Sequence, residues 1–199
     1  MAIDGDSTQT SRARLLAAGK SLFGRLGYEQ TSTATIARES GSSESQLIRY
    51  FGGKAGLLEA IFNEAWFGLA QSINAIVAES SPSGATIVNV LGHFIEVFSG
   101  DRELAFLFLF EGRRIRGSEV TISKGFTQFF ELFCSLVSRA QSDGALRTDI
   151  PGNVLASALL GAAEGMIRDR MLAERNGTET VFDEAIIRKA FDALVRGLG

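Results

Sequence analysis

The sequence contains few of the residues on which several common classes of protein depend. Among 199 residues there is one Cys and one His, which excludes a disulfide-stabilised scaffold and a zinc site built from Cys and His. There are two Pro, so long uninterrupted helices are permitted. The longest purely apolar run, Leu104–Phe110, is far shorter than the roughly 20 residues that a membrane-spanning helix needs.

The first residues do not have the pattern of a secretory signal. Met1–Thr10 is polar, contains Asp4 and Asp6, and has no basic segment followed by an apolar one. A lone Cys is typical of a reducing compartment. Hydrophobic residues make up 45% of the chain and charged residues 22%, as in a globular protein with a sizeable core. We therefore expect a cytoplasmic protein that does not associate with membranes.

The motifs of the enzyme classes that short patterns reveal are also missing. There is no Gly-x-Ser-x-Gly elbow, no glycine-rich phosphate loop and no metal-ligand spacing. A catalytic triad would have to use His93, the single histidine of the sequence. We predict a protein that is not an enzyme and that carries neither a metal nor a cofactor.

Charge is distributed unevenly along the chain, although its formal net charge is only −3. Between Ser7 and Leu58 there are seven basic and three acidic residues, whereas the rest of the chain has 13 basic and 20 acidic residues. A basic segment attached to an acidic body indicates an anionic partner at one end. So small an excess also arises by chance, and charge alone leaves both interpretations open.

Apolar spacing predicts a helix near the N-terminal end of the chain. Over Arg12–Leu26, the residues Leu15, Leu22 and Phe23 share one helical face. The basic residues of this segment lie elsewhere on the helix. Gly27 is a natural stop, because glycine readily ends helices.

Two short helices separated by glycine are predicted next. Ser32 and Thr33 offer an N-cap for a helix that ends at Gly41. The pattern Ser43–Gln46 is a capping box, which opens a further helix ending near Phe51. Helix, tight turn and helix in this order, with a supporting helix before them, form a helix-turn-helix arrangement.

The remaining elements are predicted to be helical as well. A fourth helix runs from Lys54 to about Ala78, a linker covers 79–84, and five helices follow at about 85–99, 102–114, 118–142, 151–175 and 181–198. No alternating strand pattern is present, and Pro151 suits the first turn of its helix. The predicted fold is all-α with about nine helices, divided into a helix-turn-helix domain over 1–53 and a helical domain over 54–199.

One set of residues carries a family resemblance that covers the first quarter of the chain. In order and spacing, these residues resemble the tetracycline-repressor (TetR) family of transcriptional regulators. The resemblance implies a ligand-responsive repressor that binds a pseudo-palindromic operator in double-stranded DNA as a homodimer. The residues are Arg14–Ala18, Leu22, Phe23, Gly27, Tyr28, Thr31–Thr33, Ile36, Ala37, Gly41–Ser43, Leu47, Tyr50, Phe51, Lys54, Leu57 and Leu58.

Two positions depart from the family's pattern. Ile48 stands where the family usually has a Tyr that helps to contact the DNA backbone, and Ser42 replaces the common Val before the capping Ser. Loss of the Tyr removes one phosphate contact, which leaves the strength of DNA binding open. The alternative function is a helical carrier of hydrophobic ligands, or a protein-interaction module, with a weakened DNA-binding unit.

The resemblance and the helix pattern together assign residues to DNA. Thr33 can offer its hydroxyl and backbone amide to a phosphate, and Lys54 resembles the family's phosphate-binding lysine. Arg49 can pair with guanine and Gln46 with adenine. Arg49 is also suited to a phosphate, and Gln46 to closing the capping box. The residues expected at DNA are Thr33, Ser43, Ser45, Gln46, Arg49, Tyr50 and Lys54.

Aromatic residues are concentrated in the middle of the chain, where nine of the 15 Phe lie between Phe94 and Phe133. The family has a small-molecule pocket in this region, and large aromatic side chains suit a concave apolar site. A solid aromatic core would have the same composition. The residues expected to contact an apolar or aromatic effector are His93, Phe94, Phe98, Phe108, Arg113, Phe126 and Phe130, with Glu111 as a further polar group.

The helix predicted over 151–175 is rich in small residues and has two apolar stripes. One stripe can face the core of the subunit and the other a partner. Together with the last helix, this resembles the family's four-helix dimer interface. Both stripes can also be covered within one subunit. The residues expected at the interface are Val154, Ala158, Gly161, Gly165, Leu172, Ile187, Phe191 and Leu194.

Overall fold

The computed structural model describes residues 4–79, 83–111, 115–116, 119–120, 124–178 and 182–199. Within these ranges there are nine α-helices and one short antiparallel ladder, which confirms the predicted all-α class. The elements are α1 (Asp4–Leu26), α2 (Thr33–Glu39), α3 (Glu44–Phe51), α4 (Lys54–Ala78), α5 (Gly84–Gly100), α6 (Arg102–Phe110), β1 (Ile115–Arg116), β2 (Glu119–Val120), α7 (Lys124–Ser142), α8 (Gly152–Asn176) and α9 (Glu184–Arg196).

The main differences from the predicted elements lie between α6 and α7. Helix α6 ends at Phe110 and α7 begins at Lys124, so both are shorter than the apolar pattern indicated. Between them Ile115 pairs with Val120 in the two-stranded ladder. Both residues are β-branched, which favours an extended backbone. A ladder of two residues per strand is too short to produce the alternating pattern by which strands are recognised.

Two helix starts also differ from their predicted positions. Helix α1 begins at Asp4 rather than near Arg12, and acidic residues are favourable in the first turn of a helix. Pro151 is the N-cap of α8 and not a residue of its first turn. Its φ of −55° suits either position, and a one-residue difference at a helix end is common.

The chain divides into two compact units. Unit 1 is Met1–Ala65 with Phe106–Ser123, and unit 2 is Trp66–Ala105 with Lys124–Gly199. The boundary therefore lies within α4, which contributes residues to both units. The functional division predicted between residues 53 and 54 stays a prediction.

Unit 1 is built around apolar side chains from its first four helices. Phe23 of α1, Ile36 of α2, Leu47 of α3 and Leu57 of α4 all have 0% exposure. Burying a side chain of this size contributes roughly 1.5–3 kcal/mol to stability. The two short helices α2 and α3 are therefore held by tertiary packing, since isolated helices of seven or eight residues are unstable in water.

Unit 2 is organised around α5, which packs against α7, α8 and α9. Helix α5 buries Phe94 and Phe98 at 0% and 1% exposure. Phe129 of α7 and Phe191 of α9 are buried to the same degree. Among the helices that the structure describes, none has the length and apolar character needed to cross a membrane.

Candidate nucleic-acid interface, effector region and dimer surface

Helix α3 is defined by local signals at both of its ends. The Ser43 Oγ accepts a hydrogen bond from the Gln46 amide at 3.2 Å, and the Gln46 Oε1 accepts one from the Ser43 amide at 3.0 Å. This is the predicted capping box, which is therefore confirmed. At the other end, Gly52 adopts a left-handed conformation with φ of 70°, a position that favours glycine.

One face of α3 is exposed and the opposite face is buried. Leu47 is fully buried, whereas Glu44, Ser45, Ile48 and Arg49 are exposed. These four exposed residues, which we call the α3 surface, are spaced so that they share one side of the helix. The packing of Leu47 thus determines which residues of α3 can reach a partner.

Arg49 and Tyr50 form a pair at the end of the α3 surface. The Arg49 Nη2 donates a hydrogen bond to the Tyr50 hydroxyl at 2.9 Å, and the guanidinium lies 4.9 Å from the centre of the Tyr50 ring. Gln46 uses its backbone amide and its side-chain Oε1 in the capping box, whereas its side-chain NH2 group takes no part in the cap. Ser45 shares a 2.9 Å hydrogen bond with the Ser43 hydroxyl.

A hydrogen bond between helices joins the start of α2 to the start of α3. The Thr33 Oγ1 donates to the Glu44 Oε2 at 2.6 Å. The Thr33 hydroxyl, which was predicted to bind a phosphate, therefore donates its hydrogen bond to the Glu44 carboxylate. Glu44 and Thr33 are 11 residues apart in the chain, so no local sequence pattern indicates this contact.

Two further cations are held by aromatic rings in unit 1. The Lys54 Nζ donates to the Tyr28 carbonyl at 2.8 Å and lies 4.3 Å from the centre of the Tyr28 ring. The Arg12 guanidinium lies 5.3 Å from the centre of the Phe51 ring. Phe51 is half-buried. Arg12 was not among the predicted site residues, because nothing in the local pattern relates it to the end of α3.

The aromatic residues of unit 2 form a cluster around Trp66. Its ring centre lies 6.3 Å from that of Phe94, 5.5 Å from Phe98, 5.3 Å from Phe126 and 5.1 Å from Phe129. A Cβ on Gly125 would lie only 2.5 Å from the Trp66 Cβ. We call Trp66, Phe94, Phe98, Phe126 and Phe129 the aromatic cluster. The predicted Phe94, Phe98 and Phe126 are thus brought together as packed rings.

The residues predicted to contact an effector differ from the members of the aromatic cluster in both directions. Trp66 and Phe129 were not predicted, although Phe129 is only 1% exposed. Phe130 is half-buried and stacks on Phe126 with ring centres 6.1 Å apart. Phe108 belongs to unit 1, and Arg113 lies outside the described residues.

Two of the three polar groups predicted for this region, His93 and Glu111, have other partners. His93 lies in a surface cleft of about 320 Å³ with Asn89, Glu96 and Arg188, and its Nδ1 is 3.3 Å from the Glu96 Oε2. The Glu111 Oε1 accepts a hydrogen bond from the Tyr28 amide within unit 1. His93 therefore forms part of a polar cleft.

A small notch adjoins the aromatic cluster at Phe98. It has a volume of about 10 Å³ and is lined by residues that include Ser99, Arg102, Arg170 and Met171. The Ser99 Oγ is buried and has no hydrogen-bond partner among the described residues. The notch can hold little more than one water molecule.

Cys134 lies on α7 close to the aromatic residues in sequence. Its side chain is half-buried. Burial, followed by the negative charge of Glu131, raises the pKa of the Cys134 thiol. The thiol is therefore protonated at neutral pH, and a protonated thiol is a poor nucleophile.

Helix α8 has an exposed stripe of small and apolar residues. Val154 is 52% exposed and Leu172 is 42% exposed, and Ala158 and Gly161 between them are exposed as well. Gly165 is half-buried. The second apolar stripe predicted for this helix is therefore not covered by the described residues of its own subunit.

On α9 the exposed apolar residues are not the ones predicted. Ile187 and Phe191 are 2% and 0% exposed, so the core of unit 2 already covers them and they are unavailable to a partner. Ile186 and Leu194 are 46% and 45% exposed. The predicted Leu194 is thus accessible, and Ile186 takes the place of Ile187.

Comparison with known proteins agrees with this architecture. A family model described as bacterial regulatory proteins, tetR family, matches residues 15–61. The nucleoid occlusion factor SlmA of Colwellia psychrerythraea (strain 34H) is 28% identical over 143 residues, which are 70% of this chain and 71% of that protein.

Two solved structures share the fold at low sequence identity. The transcriptional regulator FadR from Bacillus subtilis, in complex with stearoyl-CoA, has a TM-score of 0.81 and 16% identity, with 94% of this chain and 99% of that chain covered. A gamma-butyrolactone receptor, described as an ArpA-like protein, has a TM-score of 0.64 and 21% identity, with 96% and 98% covered. The likeness extends over both units of the chain.

Proposed function

We propose that this chain, whose residues 15–61 match the model of the tetR family of bacterial regulatory proteins, is a DNA-binding transcriptional regulator of that family and acts as a dimeric repressor released from its operator by an apolar effector. The observation that carries the DNA-binding part is the α3 surface, an exposed helix face fixed by the burial of Leu47. A helix presented in this way can enter the major groove of DNA. The surrounding Arg12, Arg49 and Lys54 supply the positive charge that phosphates require.

The roles proposed at DNA separate into phosphate contacts and base contacts. Lys54 is anchored by the Tyr28 carbonyl, which leaves further N–H groups of its ammonium for a phosphate. Thr33 can serve a phosphate once its hydroxyl turns from Glu44. The residues proposed to face base edges are Ser43, Ser45, Gln46 and Arg49. Gln46 would do so through its side-chain NH2 group, which the capping box does not use. Tyr50 is proposed to contact the DNA backbone.

The dimer is proposed to form through the exposed apolar residues of α8 and α9. Val154, Ala158, Gly161 and Leu172 lie at helical spacings on α8, and small side chains allow two helices to approach closely. Twofold symmetry would present two copies of α3 to two half-sites of an operator. Such a regulator would act in the cytoplasm, where DNA is accessible to it.

The effector is proposed to bind at the aromatic cluster by entering beside Phe98. Phe98 lines both the cluster and the notch, so a molecule that parts the rings would also meet Ser99 and Arg170. Stearoyl-CoA, the ligand of the FadR structure, likewise combines an apolar chain with anionic groups. The effector must bind the DNA-incompetent state more tightly, since otherwise it cannot shift the equilibrium.

We propose that effector binding is coupled to DNA binding along α4, which has residues in both units. Leu57 and Ile61 of α4 are buried in unit 1, and Trp66 and Leu69 in unit 2. A displacement of Trp66 by the effector is proposed to move α4 and thereby the spacing of the two α3 helices in the dimer. The two recognition helices would then no longer match successive major grooves.

The proposed function is tested by titrating the protein against the DNA that flanks its own gene, with random duplex as competitor. We expect tight, selective binding that weakens as salt is raised, because phosphate contacts release counterions. Arg49→Ala is expected to weaken binding to the selected duplex about tenfold, since a bidentate base contact contributes about 1–3 kcal/mol. The loss on random duplex should be smaller.

Arg25→Ala is the matched control, because Arg25 is an exposed arginine at the end of α1. It removes the same charge without touching the α3 surface. Equal losses for the two variants would mean that Arg49 acts only through its charge. Weak binding of the unaltered protein, equal for both DNAs, would instead support the alternative of a hydrophobic-ligand carrier.

A second substitution tests the carboxylate at the start of α3. Glu44→Gln is expected to raise the affinity for duplex DNA about threefold to tenfold, because a like charge near a phosphate costs about 1 kcal/mol at an exposed site. The amide can still accept the hydrogen bond of Thr33. The gain should appear on selected and random duplexes alike and should shrink at high salt, where exposed charges are screened. Fluorescence anisotropy with labelled duplex measures it.

Glu39→Gln provides the control for this change in net charge. Glu39 is exposed at the end of α2 and has the same charge as Glu44. An equal gain from both substitutions would show that only the net charge of the protein matters and that Glu44 has no special position at DNA.

A further inference from the structure

The α3 surface contains one apolar side chain among polar ones. Ile48 is 57% exposed, although the residue before it, Leu47, has 0% exposure. Ile48 shares the exposed side of the helix with Ser45 and Arg49. Its side chain therefore lies on the surface that is proposed to meet the bases.

The polar neighbours of Ile48 already have partners within the protein. The Glu44 carboxylate accepts from Thr33 at 2.6 Å, the Ser45 hydroxyl bonds to Ser43, and the Arg49 guanidinium is held at the Tyr50 hydroxyl. Ile48 is also β-branched, which restricts its χ1 rotation. Its methyl groups are thus presented in a nearly fixed position at little cost in conformational entropy.

An apolar side chain has a restricted choice of partners in the major groove. Opposite a polar base edge it would displace water without replacing the lost hydrogen bonds, which is unfavourable. The C5-methyl group of thymine is the apolar group that base pairs present in this groove. Contact between the two removes apolar surface of both from water.

We propose that Ile48 is a specificity-determining residue that selects thymine by packing against its C5-methyl group, once in each half-site of the operator. This inference rests on the proposed function, because it requires that α3 enters the major groove. Ile48 cannot make the backbone contact of the Tyr that is usual at this position, because its side chain has no hydrogen-bond donor, and the proposal gives it a role in base selection instead.

The test uses duplexes selected by the protein itself from a random-sequence pool. In the selected duplex each thymine position is tested in turn by replacing the thymine with deoxyuridine, which lacks only the methyl group. Each replacement is made first in one half-site and then in both. Binding by the unaltered protein is expected to weaken about fourfold for one half-site and about fifteenfold for both, from the transfer free energy of one methyl group. The loss should be confined to one position of each half-site.

Variants at Ile48 show whether this residue is responsible. In Ile48→Ala the difference between thymine and deoxyuridine at that position should fall to less than about twofold, whereas Ile48→Val should retain most of it. Leu26→Ala is the matched control, since Leu26 is an exposed apolar residue of α1 at 52% exposure. Circular dichroism checks that each variant keeps its helices, and exposed substitutions to Ala are expected to do so.

Two outcomes would overturn the proposal, and they are distinct. If the protein selects a sequence but no thymine shows a loss that Ile48→Ala removes, Ile48 does not select thymine and the proposed function still stands. If no sequence is selected over random duplex, the proposed function fails, and this inference fails with it.

Discussion

Gly161→Glu is expected to convert the proposed dimer to a monomer and to weaken operator binding by about 100-fold to 10,000-fold, the range over which linked binding exceeds single-site binding. Gly161 is exposed on α8, and nothing lies within 4 Å of where its Cβ would be. The subunit therefore accommodates the new side chain, and leaving glycine in a helix interior favours the helix. In a symmetric interface, two copies of the new carboxylate would be buried close to each other.

The oligomeric state is measured by sedimentation equilibrium and the affinity by titration with the selected duplex. Gly68→Glu is the matched control, because Gly68 is an exposed helical glycine of α4 that also has nothing within 4 Å of its Cβ position. It should leave both the dimer and the affinity unchanged. A Gly161→Glu protein that remains a dimer would place the interface elsewhere and would leave the exposed stripe of α8 unexplained.

Trp66→Ala is expected to lower the free energy of unfolding by about 3–5 kcal/mol, the usual range for truncating a large buried aromatic side chain. Trp66 is 2% exposed and contacts the four other rings of the aromatic cluster. Removing it leaves a cavity at the centre of these contacts, because densely packed neighbours relax only partly. The lost ring contacts add to the lost burial of apolar surface.

Phe67→Ala is the control, since Phe67 is the next residue of α4 and is 65% exposed. Its replacement should change the free energy of unfolding by less than about 0.5 kcal/mol, as is usual for surface positions. Urea denaturation followed by circular dichroism compares the two variants, because this signal does not depend on the tryptophan that is removed. Similar losses at both positions would contradict the central place of Trp66 in unit 2.

Local sequence signals predicted both ends of α3. Its start depends on side chains and amides within four residues of each other, as the Ser43–Gln46 capping box shows. Its end depends on a glycine that can adopt positive φ. Such signals act over one turn of helix, so the sequence contains all of the information that they need.

The stripes of α7 and α9 show where local pattern is insufficient. On α7 the residues predicted to contact an effector are Phe126 and Phe130, whereas Phe129 and Phe133 are the fully buried pair. On α9 the exposed and buried stripes differ by one residue, Ile186 against Ile187. Both stripes are apolar, and periodicity does not say which of two apolar stripes a neighbouring helix covers.

Short-range spacing was enough to predict the helical class, the order of the helices, the caps of α3 and the family whose model matches residues 15–61. Which side chains are accessible depends instead on the packing of the helices. That packing placed the Glu44 carboxylate on Thr33, gathered Trp66 with four phenylalanines, and left Ile48 exposed beside a buried Leu47. The first two arrangements bring together residues that are distant in the chain. The third gives two neighbouring residues opposite exposure, because burial depends on what packs against each face of a helix.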